Sequence, residues 1–141
     1  MKVSSIVLII AGVIILVSLF LTWGSFLGLD KVSYNAWDMD KFFSDGDGIV
    51  NLLASFSNIF ILVFGFCMIP ETIANEYRPE FFNNKYGFTA IFSGIVPLFF
   101  SVIAIVAIND LYLFEIGYGA YIAIIGSILA IVGGVMSLKG I

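Results

Sequence analysis

Four stretches of this chain, 5–23, 49–69, 88–108 and 118–138, contain no Asp, Glu, Lys or Arg. Each is close to the ~20 residues that cross a bilayer core of ~30 Å at ~1.5 Å per residue. In hydrocarbon every backbone N–H and C=O must be bonded within the chain, so runs of this kind fold as helices. The alternating strands of about ten residues that build a membrane barrel are absent. Composition agrees: 61% of the residues are hydrophobic and 11% charged, with a mean hydropathy of +1.12. Soluble domains are roughly 45–50% apolar and about 25% charged. The expectation is an all-α membrane protein, a single four-span domain over 1–141 with outer loops 24–48 and 109–117 and an inner loop 70–87. The first run also has the outline of a signal peptide behind Lys2, but it is long and lacks a clear small-residue cleavage site.

The missing residue types narrow the chemistry. The chain has no His and one Cys, Cys67. Imidazole bases, zinc–histidine sites and haem–histidine ligation are therefore excluded within the chain, as are internal disulfides and redox cysteine pairs. Six Lys and Arg against ten Asp and Glu argue against nucleic-acid binding. No nucleophile–base pair, metal cluster or phosphate-binding loop is visible, so the sequence predicts neither an enzyme nor a cofactor. Of the six basic residues, Lys2, Arg78, Lys85 and Lys139 fall on one side of the four runs, and Lys31 and Lys41 on the other. The positive-inside rule then places both termini in the cytoplasm of a multi-pass plasma-membrane protein.

Small residues punctuate the runs. In the last, Gly119, Ala123, Gly126, Ala130, Gly133, Ser137 and Gly140 follow a 4-3-4-3-4-3 spacing, the 3.5-residue repeat of a left-handed crossing. The third carries Ala90, Gly94, Pro97, Ser101 and Ala104; the first continues Ser4, Ala11, Ser18 and Ser25 at intervals of seven; the second has Asn51, Ser55, Asn58 and Gly65. Helix contacts in lipid depend on close van der Waals approach, so small residues mark contact faces. The predicted architecture is a left-handed four-helix transmembrane bundle with a longer first extracellular loop, and the last stripe is alternatively an oligomer face. Pro97 predicts a bend in the third helix. Asn58 should lie deep in the membrane, serving an interhelical hydrogen bond or, with Asn51, Ser55 and Ser101, a neutral polar path.

Two loops carry further signals. Val32, Tyr34 and Ala36 alternate with Ser33 and Asn35, predicting a short strand, after which Asp38 caps a helical turn ending near Phe43. Trp23, Phe26, Tyr34, Trp37, Phe42 and Phe43 predict an aromatic contact face at the headgroup level. Asp45-Gly46-Asp47-Gly48 reads as a turn with Asp47 at the N-terminus of the second helix. The loop's five Asp residues lack the spacing of a calcium loop. On the inner side, Glu71–Arg78 either extends the second helix or forms an interfacial turn that stops before Pro79. Cys67 reads as a small buried filler ahead of a palmitoylation site.

Leu21-Thr22-Trp23, Ala36-Trp37-Asp38-Met39, Asp47-Gly48-Ile49-Val50, Gly117-Tyr118-Gly119-Ala120-Tyr121 and Gly133-Gly134 occur in an order that resembles small uncharacterised tetraspan membrane proteins of archaea and bacteria. That resemblance implies a fold and no activity. More loosely the layout is similar to the claudin type, with Trp37 at the place of its loop Trp, although the claudin pair of loop cysteines is missing. The functional expectation is a non-catalytic membrane scaffold or accessory subunit, whose partners are the bilayer and a second copy or another membrane protein. The alternative is a small channel or transporter with a neutral path near Asn58.

Overall fold

The computed structural model describes residues 1–26, 32–38, 48–110 and 114–141. Helix α1 covers Val3–Ser18, α2 Ile49–Tyr77, α3 Tyr86–Asn109 and α4 Tyr118–Leu138. Three short strands, β1 (Thr22–Phe26), β2 (Val32–Asn35) and β3 (Phe114–Ile116), form one antiparallel sheet in the order β2-β1-β3. The chain is thus mostly helical, with a small sheet that an all-helical reading did not contain.

The helices run alternately up and down, and each packs on two others: α1 on α2 and α4, and α3 on α2 and α4. Three of them, α2, α3 and α4, are long and apolar enough to cross a membrane. Helix α1 is also apolar, but its 16 residues reach about 24 Å. The predicted first span, 5–23, is corrected here. Its last five residues carry no charge and open on Leu19-Phe20-Leu21, so the uncharged run continues through them, but the helix ends at Ser18 and Thr22–Phe26 enters the sheet. The second helix departs in the other direction, continuing through Pro70 to Tyr77, so much of the predicted loop 70–87 is helical. Pro70 is exposed on this helix. The helix stops at Arg78, ahead of Pro79, where a pre-proline residue is pushed out of the helical region. Helix α3 likewise runs through Pro97.

Small residues crowd the interior around a few large ones, such as Leu8, Ile15, Ile61 and Met68. The interior holds Ala11, Ala54, Ala90, Ala104, Ala123 and Ala130, together with Ser18, Ser57, Ser101 and Ser127. The outer faces carry Ile10, Val13 and Val17 on α1, Phe56, Phe60 and Val63 on α2, Phe92, Phe99 and Val102 on α3, and Ile125, Ile128 and Val132 on α4. Their exposures lie between 41% (Phe60) and 58% (Phe92). A water-soluble protein distributes these residues the other way round.

Candidate functional site

The small residues of α4 belong to two contacts. A Cβ at Gly126 would lie 2.8 Å from Ile15 Cγ1, one at Gly133 2.8 Å from Leu8 Cγ, and one at Gly119 2.9 Å from Trp23 Cδ1. Gly119, Gly126 and Gly133, at intervals of seven, therefore form the seat for α1 and the start of β1. Ala123 and Ala130 are buried between them, Ser137 is half-buried and Gly140 is exposed beyond the helix end. The neighbouring line, Ala120, Ser127 and Gly134, is also buried. Two of its members touch α3: a Cβ at Gly134 would meet the Gly87 carbonyl oxygen at 2.8 Å, and one at Gly94 the Ser127 carbonyl oxygen at 2.9 Å. The α3 line Ala90, Gly94, Pro97, Ser101 and Ala104 is buried throughout. Between α1 and α2, a Cβ at Gly12 would stand 3.1 Å from the Gly65 carbonyl oxygen. At each of these places backbone meets side chain or backbone with no room for a methyl group.

Four of the buried hydroxyls are satisfied within their own helices. Ser55 donates to the Leu52 carbonyl at 2.7 Å, Ser57 to Ala54 at 2.7 Å, Ser101 to Pro97 at 2.6 Å and Ser127 to Ala123 at 2.7 Å. Asn58 is buried, and its side-chain oxygen accepts the Ile59 N–H at 2.8 Å; Asn51 is half-buried. Among the described residues no buried side-chain nitrogen or oxygen lacks a partner.

At the sheet end, Trp23 departs from its predicted place on an outward aromatic face. The β1–β2 register slips between Thr22 and Gly24, so Trp23 is the extra residue of a bulge. Bulges re-aim a side chain, and here the indole points inward. It is fully buried and donates at 2.7 Å to the Ser18 carbonyl at the end of α1, which also accepts the Leu21 N–H at 3.2 Å. Tyr34 and Trp37 are half-buried: Tyr34 sits 6.3 Å from the Phe114 ring and Trp37 5.9 Å from Phe20. Phe26 meets Phe114 at 5.4 Å. Phe42 and Phe43 lie outside the described residues, as does Asp47; Gly48, at φ 103°, precedes the first residue of α2. Asp38 ends a 3-10 turn, Ala36–Asp38, and the rest of the turn predicted to end near Phe43 lies outside the described residues. The Asn35 side chain accepts the Trp37 N–H at 3.0 Å, and Asp38 accepts the Asn35 N–H at 3.3 Å.

At the opposite end Glu76 ties α2 to the start of α1. Its carboxylate accepts the Ser5 hydroxyl at 2.7 Å and the Lys2 N–H at 3.1 Å, at a helix end where four N–H groups lack helical partners and negative charge is favoured. Glu76 lies beyond the apolar stretch 49–69. The Ser5 bond, with smaller help from Lys2 and the chain terminus, holds its carboxyl below the usual range against a modest desolvation effect. Nearby, Thr72 and Tyr86 share a hydrogen bond of 2.7 Å between α2 and α3.

Sequence reasoning missed Gly12 and Gly87 as contact glycines, the β3 strand and the Glu76 tie. Gly87 has a visible signal, since it stands seven residues before Gly94, but its place at the edge of an apolar run made it read as loop. No family model matches this sequence, and no relative or solved structure matches it either.

Proposed function

We propose that the chain is a membrane-embedded, non-catalytic scaffold or accessory subunit, spanning the bilayer four times as a left-handed bundle with both termini in the cytoplasm. The observation that carries the reading is the exposure of Ile, Val and Phe along the outer faces of all four helices, around an interior rich in Ala, Ser and Gly. Helix α1 completes its crossing with the apolar turn at Leu19–Leu21 and the first residues of β1, and a local thinning of the bilayer accommodates the shortfall. The tetraspan resemblance belongs to this proposal, and the joining of both loops at one end in a single sheet supports it.

The reading differs in one respect from a scaffold that recruits partners through the α4 stripe. Those glycines already seat α1 and the start of β1, and the neighbouring Gly134 meets α3, so contact with another copy or another membrane protein falls to the large outer side chains and the sheet end. A transport path is less well supported, because the hydroxyls of Ser55 and Ser101 are directed at carbonyls of their own helices. The test is extraction from membranes in mild detergent followed by light scattering on a sizing column. The expected particle exceeds the 15.4 kDa monomer mass after subtraction of detergent, or carries a stoichiometric membrane protein. A bare monomer would overturn the scaffold reading.

A further inference from the structure

The sheet has two unlike faces. In the β-register, Ser25 lies directly opposite Ser33 on one side and Glu115 on the other. Directly paired residues project to the same face, so these three form a polar row across all three strands. Phe26 pairs with Phe114 in the next row, which projects to the other face. The polar row floors an open groove of about 400 Å³ whose walls include Thr22 and the exposed rings of Tyr118 and Tyr121. This volume lies within the ~300–1,000 Å³ of small-molecule sites. Among the described residues that line it, Glu115 is the only charged one. Hydroxyl groups, a carboxylate and phenol rings match a neutral polyhydroxyl ligand, which donates to the carboxylate and exchanges bonds with the serines. Among the described lining residues no cation offsets that carboxylate against a phosphate.

The groove also opens at the head of an apolar track. Below Tyr118 and Tyr121 the outward face of α4 continues through Ile125, Ile128 and Val132, all exposed, on a helix long and apolar enough to cross a membrane. We infer that the groove binds the sugar headgroup of an uncharged glycolipid, whose acyl chains lie along that face of α4. The inference rests on the membrane-embedded reading given above.

The full chain in phosphatidylcholine nanodiscs, doped with equal shares of monoglucosyldiacylglycerol and phosphatidylglycerol of identical acyl chains, provides the test. Native mass spectrometry after release counts the lipids retained. The expected result is preferential retention of the glucolipid, reduced about tenfold by Glu115→Gln or by Ser25→Val, and unchanged by Val63→Ala on the exposed face of α2. Equal retention of both lipids, or a preference that survives both groove variants, would overturn the site. Comparable binding of radiolabelled glucose alone would overturn the lipid assignment. Alkaline carbonate washing of the source membranes separates the two readings: release of the chain sinks the embedding itself, whereas a chain that stays with the membrane and shows no preference sinks only the groove.

Discussion

Trp23 shows how one residue type can be read correctly as apolar and wrongly as exposed. An aromatic at the end of an apolar run reads as an interface anchor, and nothing local announces that the backbone will bulge there. The bulge lies in the β1–β2 ladder, and the strand it re-aims also pairs with β3, about ninety residues downstream. Glu76 is a similar case. It is an ordinary acid in sequence, and its bond to Ser5 joins positions 71 residues apart. The Trp23 contact has a measurable size. Trp23→Phe removes the bond to Ser18 and should cost about 1–2 kcal/mol, whereas Trp23→Ala also empties a fully buried volume and should cost about 3–5 kcal/mol. Thermal unfolding in detergent, followed by far-ultraviolet circular dichroism, checks both. Equal melting of the two variants would mean that the indole is not seated as described.

The helices divide into what spacing reveals and what it conceals. Hydropathy alone located α4 to the residue, because Gly117 and Lys139 bound an unbroken apolar run. It placed the start of α2 equally well and missed its end, because Pro70 usually breaks a helix yet here sits on an exposed face. The interval of seven in α4 was legible; which neighbour each line of small residues serves was not, since a one-dimensional period carries no azimuth relative to another helix. The structure divides the task, giving Gly119, Gly126 and Gly133 to α1 and Gly134 to α3. A sign reversal follows. In an exposed helix interior, Gly→Ala stabilises by roughly 0.5–1 kcal/mol. At Gly87 the added methyl would stand 2.6 Å from the Gly134 carbonyl oxygen, so Gly87→Ala should instead destabilise by about 1–3 kcal/mol. Gly126→Leu should be worse, and Ile128→Leu, on an exposed outer position, should leave the melting temperature nearly unchanged. Similar melting of Gly126→Leu and Ile128→Leu would remove the packing role of this stripe.

At the scale of the whole chain, alternation of direction puts the sheet at one end and the Glu76 tie, with the turn at Asn83 and Asn84, at the other. In a four-span arrangement those ends face opposite compartments. With Cys67 replaced by Ser, a cysteine at Ser33 should react with an impermeant maleimide on intact cells, and one at Asn84 only after permeabilisation. Labelling of both from the same side would refute the crossing of α2, which alone separates them. The overall layout was legible because lipid imposes length and polarity on whole segments, whereas the sheet depends on where the ends of α1 and α3 come to rest. The seated indole of Trp23 has a last consequence for cooperativity. It is clasped between the Ser18 carbonyl on one side and Gly119 on the other. Loosening the end of the first helix therefore unseats the start of the last one, and the two should come apart together.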